Sequence, residues 1–379
     1  MFSTPDTPLT APIRAAIAGR GPMPFREFME RALYDPEHGY YASGHARLGR
    51  KGDYFTSVSV GPLFGALLAR QFAEVWERLG APADFTLVEQ GAHRGELTRD
   101  VFIGLRRLAP ECARATRGVI VEPFPALRAA QQELLRDEPV AWVASIDELP
   151  PFTGVHFSNE LLDAFPVHLV RSDGAAWTER CVEWSEPGRF AFCERPLEDP
   201  ALLAQLPAPH DLPPDYTTEL CPAASTWARA VAEKTQRGLI LAIDYGHPRA
   251  DFFHPARRLG TLRACASHRP APDPLAAPGE LDLTAHVEWT SVAAAAESAG
   301  LRVHGFCDQH HFCVGLARAH FPDGVVPPAA ELRAFQTLMH PGLLGRAFQG
   351  LALGKDIAAG PPLAGFTHAR DARRTLGLA

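Results

Sequence analysis

Residues 85–97 read Phe-Thr-Leu-Val-Glu-Gln-Gly-Ala-His-Arg-Gly-Glu-Leu. An apolar strand runs into a glycine-bearing turn and then into a helix. This is the arrangement by which a doubly wound α/β sheet holds an adenosyl cofactor at the carboxyl end of its first strand. The strand would bury Phe85, Leu87 and Val88 and leave Glu89 at its end. The chain then turns at Gly91, His93 lies within the turn, and Gly95 lets the next helix start close to a ligand. The spacing Gly-x-x-x-Gly lacks the middle glycine of the usual fingerprints, so an ordinary strand-to-helix turn accounts for this segment equally well.

The following strands extend the pattern. Gly118-Val-Ile-Val-Glu122 comes about thirty residues later, where such folds set an acid against the two ribose hydroxyls. Glu122 is therefore the expected ribose ligand, the alternative being a solvated glutamate at a strand end. A third run, Val140 to Ser145, leads to Asp147, placed to read an adenine amino group. Helices are expected over 96–108 and 126–135, a fourth strand at Val155–Ser158 and a fifth over Gly238–Gly246. Strand and helix alternate, which predicts a parallel sheet.

Three regions follow from this: a helical amino-terminal segment and lid over 1–80, an α/β domain over 81–320, and a carboxy-terminal helical segment over 321–379 packed on the core. Insertions are expected at about 167–222, a short antiparallel piece followed by a proline-rich surface connection, and at about 250–283, too long for an ordinary connection and so a candidate functional loop. A helix is expected from Thr284 to Ala299.

Composition narrows the partners. Hydrophobic residues make up 46% and charged residues 21%, with a formal charge of −7, so the chain carries no basic footprint for nucleic acid. No apolar run is long enough to span a membrane, and the seven scattered cysteines suit reduced thiols in the cytoplasm better than a disulfide framework. Cys307, His310, His311 and Cys313 match no common zinc spacing, so no metal is expected.

Chemistry-bearing groups collect after the fourth strand, in Ser158-Asn159-Glu160-Leu-Leu-Asp163-Ala-Phe-Pro166. An amide and two carboxylates there could orient a cationic nucleophile, because methyl transfer from a sulfonium depends on alignment and charge placement. The alternative is that Glu160 and Asp163 charge the first turn of a helix and do no chemistry.

At this point the chain resembles the MidA family of S-adenosylmethionine-dependent methyltransferases, which is related to a mitochondrial complex I assembly factor. The residues that carry the resemblance are Leu33-Tyr-Asp-Pro-Glu-His-Gly-Tyr-Tyr41, Gly52-Asp53 with Phe55-Thr-Ser57, Leu63-Phe-Gly65, Asn159 to Val167, Asp244-Tyr-Gly246 and Pro278 to Val287. The resemblance implies a class I, Rossmann-like methyltransferase sheet and S-adenosyl-L-methionine as cofactor. It implies methylation of an arginine on a protein substrate, and a homodimer is compatible with it. Gly52 and Asp53 would order the lid over the cofactor, and Asp244, Tyr245, Asp282 and His286 would belong to the substrate side. The chain departs from the family's Gly-Pro-Gly turn at Gly91-Ala92-His93 and carries Val58-Ser59 where Pro-Glu is usual. Two rival readings are a non-catalytic assembly factor that keeps the shell and a small-molecule methyltransferase of a dedicated pathway.

Overall fold

The computed structural model describes residues 6–42, 56–185, 188–266, 269–321 and 327–378. The chain divides into two interleaved units. One comprises 1–54, 162–224 and 250–287, and the other 55–161, 225–249 and 288–379. The sequence suggested three consecutive regions instead, because connectivity along the chain does not reveal which segments return to a common core.

The second unit is built on a sheet of seven main strands: β1 (Phe85–Gln90), β2 (Thr116–Val121), β3 (Val140–Val143), β4 (Phe152–Asn159), β5 (Thr235–His247), β6 (Arg302–Asp308) and β7 (Phe348–Lys355). Their spatial order is β3-β2-β1-β4-β5-β7-β6. The strands are parallel from β3 to β5, while β7 runs antiparallel to both β5 and β6. The order reverses beside β1, which puts the crevice of a doubly wound sheet at the carboxyl ends of β1 and β4.

Burial on both faces explains the near-continuous apolar strands. Leu87 joins Phe72, Val155, Phe157, Leu239, Leu241, Phe312 and Phe348 on one face, whereas Val88 packs with Val121, Leu149 and Phe152 on the other. At the start of the sheet the strands are pinned without side chains: Thr86, Gly154 and Gly238 lie in register across β1, β4 and β5. A Cβ on Gly154 would lie 1.9 Å from the Thr86 carbonyl oxygen, and one on Gly238 would lie 1.8 Å from that of Gly154.

The segment expected to be the carboxy-terminal helical piece departs from that expectation. It holds helices Ala329–Met339 and Ala372–Thr375, but between them Phe348–Lys355 is β7, inserted between β5 and β6. Its Gly-Leu-Ala-Leu-Gly core has little intrinsic strand preference, and pairing on both sides overrides propensity. The helix expected from Thr284 instead spans Trp289–Ser298. Glu288 caps it, its carboxylate accepting from the amides of Thr290 (2.8 Å) and Ser291 (3.3 Å). Asp282–Thr284 is a strand.

The first unit holds helices Thr10–Arg20 and Phe25–Tyr34 and an antiparallel sheet. Within that sheet Trp177–Ser185 pairs with Met23–Pro24, His168–Ser172 and Arg189–Pro196, and His168–Ser172 also pairs with Tyr216–Leu220. Tyr216–Leu220 falls in the stretch read as a surface connection, yet all five residues are buried. Prolines at either end hid a strand whose Glu219 is buried. That carboxylate accepts from the amides of Thr261 (2.8 Å) and Leu262 (2.9 Å) and the Thr261 hydroxyl (3.0 Å). The candidate loop over 250–283 supplies strands Arg263–Ala266 and Arg269–Pro270 of a small three-stranded sheet, completed by Asp282–Thr284. Phe25, Phe28, Met29, Leu33, Val182, Phe190 and Leu283 form this unit's core. Among the described residues no helix is long and apolar enough to cross a membrane.

Candidate functional site

The turn after β1 has the backbone its sequence requires. Gly91 and Gly95 lie at φ 78° and 90°, and helix Glu96–Leu108 starts directly behind them. A Cβ on Gly91 would meet the Leu161 side chain at 3.2 Å and one on Gly95 the Leu135 side chain at 3.1 Å, so the space is tight at both positions, and it is the positive φ that favours glycine there. His93, which stands where the family resemblance expects glycine, also adopts the left-handed region at φ 45°. That conformation costs a side-chain-bearing residue about 1–2 kcal/mol. The bend is held by Gly95 N–H donating to the Ala92 carbonyl (2.7 Å) and by Gln131 Nε2 donating to the His93 carbonyl (2.7 Å).

Glu89 is buried at the end of β1 and accepts a hydrogen bond from Thr98 Oγ1. Burial pushes its carboxyl up to about 7, although the Thr98 hydroxyl opposes the shift. Glu122 follows β2 directly and is also buried. Phe124 N–H donates to its Oε1 (2.9 Å), Gln131 Nε2 to its Oε2 (2.9 Å), and Arg128 Nη2 to its backbone carbonyl (2.8 Å). Burial raises this carboxyl above the ordinary range, opposed by the Phe124 amide, Gln131 and Arg128. A carboxylate has about four acceptor positions. With one donor on each oxygen, Glu122 keeps capacity for two hydroxyls. The left-handed glycine turn and this fixed carboxylate fit an adenosyl group. Asp147 is exposed in the turn after β3, its carbonyl accepting from Lys234 Nζ (2.8 Å). Gly52 and Asp53 lie outside the described residues.

The ends of β4 and β5 meet the same turn. Asn159 Nδ2 donates to Glu160 Oε1 (2.8 Å), and since a carboxylate only accepts, this fixes the amide orientation. Asn159 Oδ1 is buried and takes no hydrogen bond among the described residues. Glu160 is left-handed at φ 55°, its N–H donating to the Ile243 carbonyl (3.0 Å). Asp244, buried, accepts from the amides of Leu161 (3.0 Å) and Tyr245 (2.8 Å), and the Tyr245 ring packs on Phe348 at 4.0 Å between centroids. Leu161 is also the residue facing Gly91. Asn159, Glu160, Asp244 and Tyr245 are thus brought together with Gly91.

Asp163, Asp282 and His286 belong to the other unit. Asp163 and Asp282 are buried there, the Tyr41 hydroxyl donating to Asp282 Oδ1 (3.2 Å) and the Tyr34 hydroxyl to the Ala164 carbonyl (2.9 Å). Burial, with both carboxylates nearby, drives the Tyr34 and Tyr41 phenols upward. The backbone N–H of His286 donates to Thr261 Oγ1 (2.9 Å).

Sequence reasoning missed Thr98, Arg128, Gln131 and Trp142, which support Glu89, Glu122 and the glycine turn. It also passed over His156, in the middle of β4, which is fully buried with neither ring nitrogen bonded among the described residues and with Trp227 edge-on at 5.6 Å. Burial pushes its pKa down to about 3, from 6.5. The unfolded chain binds this proton below about 6.5, so folding stability falls as the pH drops from there towards 3, by about 1.4 kcal/mol per unit. Glu89 acts in the opposite sense between 4.5 and about 7, where the folded state keeps a proton that the unfolded state has released. The two slopes cancel down to about pH 4.5, and below it His156 acts without that opposition. His156→Leu is therefore expected to flatten the acid limb of a urea-unfolding pH series, removing about 2 kcal/mol of loss between pH 4.5 and 3. An unchanged limb would show that His156 does not titrate there.

Comparisons with known proteins bear on the family and the fold. The family model for S-adenosyl-L-methionine-dependent methyltransferases matches residues 67–307. A crystal structure from Burkholderia thailandensis, bound to S-adenosyl-homocysteine, superposes with a TM-score of 0.86 at 32% identity, covering 96% of this chain and 95% of that one. Among curated relatives, the Drosophila melanogaster mitochondrial protein arginine methyltransferase NDUFAF7 homolog is 28% identical, covering 95% of this chain and 88% of its own length. Its human counterpart is 27% identical over 92% and 84%.

Proposed function

We propose, on the premise that this chain belongs to the MidA-like family of S-adenosyl-L-methionine-dependent methyltransferases, that its methyl acceptor is an arginine side chain of a protein. The cofactor is S-adenosyl-L-methionine, which when bound supplies an electrophilic methyl group on a sulfonium.

The observation that carries the acceptor assignment is the buried Oδ1 of Asn159, an acceptor with its amide locked by Glu160, next to the carboxylates of Glu160 and Asp244. A guanidinium carries only donors and a positive charge, so it matches this set. Asn159 Oδ1 would accept one N–H and turn the nitrogen towards the methyl group. The neighbouring carboxylates would favour the cation and receive the proton that the nitrogen sheds as its bond to the methyl carbon replaces the carbon–sulfur bond of the sulfonium, with S-adenosylhomocysteine as the leaving group. Glu122 would hold the ribose hydroxyls. Glu89 and the Gly91, His93 and Gly95 backbone would shape the floor of the crevice. The curated relatives named as protein arginine methyltransferases support the same acceptor.

The test is incubation with isotope-labelled S-adenosyl-L-methionine and a peptide library in which each arginine peptide has a lysine twin. Label confined to arginine peptides is the expected result, with loss of labelling in Asn159→Ala while S-adenosylhomocysteine still binds. Label on lysine twins, or on small-molecule amines alone, would sink the assignment.

A further inference from the structure

We infer that Gln131 is a positioning residue for the cofactor, locking the ribose-binding carboxylate and the left-handed turn into one rigid unit. The inference rests on the reading of Glu122 as ribose ligand.

Gln131 is fully buried on helix Pro125–Leu134 and uses both ends of its amide. Trp142 Nε1, on β3, donates to Oε1 at 3.0 Å, while Nε2 donates to Glu122 Oε2 at 2.9 Å and to the His93 carbonyl at 2.7 Å. An indole N–H can only donate, so Oε1 must face Trp142 and both amide hydrogens must face the cradle. The orientation is fixed by chemistry on both sides. One side chain therefore joins three elements that the chain delivers separately: the end of β2, the turn after β1, and β3.

Two consequences follow for the ligand. Glu122 is held by one donor on each oxygen, Phe124 N–H on Oε1 and Gln131 on Oε2, so the plane of the carboxylate and the direction of its remaining lone pairs are set. Without Gln131 the group could rotate about a single anchor, and a pair of hydroxyls would have to order it on binding. The carbonyl of His93, in its unfavourable conformation, would also lose its side-chain partner, so the turn and the carboxylate would move independently.

A residue with this role affects recognition of the hydroxyls more than recognition of the rest of the ligand. The test is calorimetric binding of S-adenosylhomocysteine and of its 2′,3′-dideoxy analogue to the full chain, in wild type, Gln131→Met, Gln131→Glu and Glu122→Gln. Methionine keeps the volume and removes the hydrogen bonds. Glutamate keeps an acceptor for Trp142 and sets a second carboxyl against Glu122, where the pair can share one proton, so it removes the donor to His93 and perturbs Glu122 without leaving the indole unsatisfied. The wild type is expected to prefer the hydroxylated ligand by about 30-fold or more. Both Gln131 variants are expected to reduce that preference by about tenfold through weaker binding of S-adenosylhomocysteine alone, leaving the dideoxy analogue within about twofold. If both ligands weaken in parallel, or neither changes, Gln131 is structural and the inference falls. If Glu122→Gln leaves the preference intact, the ribose assignment itself fails and takes this inference with it. A preference lost in Glu122→Gln but kept in the Gln131 variants refutes the Gln131 role alone.

Discussion

Glu122→Ala is expected to raise the dissociation constant for S-adenosylhomocysteine by roughly 30- to 1,000-fold, measured by titration calorimetry. A hydrogen bond to a charged group contributes about 1.5–3 kcal/mol net, so losing two hydroxyl contacts, with water replacing part of them, costs about 2–4 kcal/mol. Folding should suffer less. The substitution removes the carboxylate partner of the Phe124 amide and of one Gln131 amide hydrogen, at up to about 1–3 kcal/mol each before water reaches them, but it also removes the cost of burying the carboxyl, and Gln131 keeps its bond to the His93 carbonyl. Circular dichroism at the titration temperature separates the two effects, and affinity within a few-fold of wild type in a folded variant would remove Glu122 from the ribose role.

The other large effect is expected at Gly154, away from any ligand. Alanine there would place its Cβ 1.9 Å from the Thr86 carbonyl oxygen and 2.8 Å from the Thr86 backbone nitrogen, and backbone inside a sheet cannot swing aside as a side chain can. Strands β1 and β4 would have to part where Thr86 and Gly154 are in register, breaking the ladder bonds between them next to the cofactor turn. The loss should exceed about 4 kcal/mol, beyond ordinary overpacking of about 1–3 kcal/mol, and most of the protein should be insoluble on expression. Gly19→Ala is the matched control. Nothing lies within 4 Å of its Cβ, it sits in helix Thr10–Arg20, and alanine there should stabilise by about 0.5–1 kcal/mol. Wild-type stability in Gly154→Ala would mean that β1 and β4 do not approach as described.

The main sheet could be read from sequence because its strands are buried on both faces. Phe85-Thr-Leu-Val, Gly118-Val-Ile-Val and Gly238-Leu-Ile-Leu-Ala-Ile announce themselves as apolar runs whatever their neighbours are. The acids ending them, Glu89 and Glu122, stand out for the same reason, as the first polar groups after a core strand. β7 did not stand out: Gly-Leu-Ala-Leu-Gly has no strand preference of its own, and its conformation comes from pairing with β5 and β6. Tyr216–Leu220 was hidden by flanking prolines and by a buried glutamate whose partners, Thr261 and Leu262, lie 42 and 43 residues further on.

The sequence by itself pointed to the class of fold and the residues of the turn through local patterns, namely burial period, glycine where the backbone bends and an acid at a strand end, and to the cofactor through the motifs that carry the family resemblance. Only the tertiary structure decided how Glu122 is held, that His93 accepts the left-handed bend, and that the buried Oδ1 of Asn159 takes no hydrogen bond among the described residues. Those properties arise from hydrogen bonds between elements distant in sequence, such as Trp142 to Gln131 to His93. A hydrogen bond constrains two atoms in space and leaves no periodic mark along the chain.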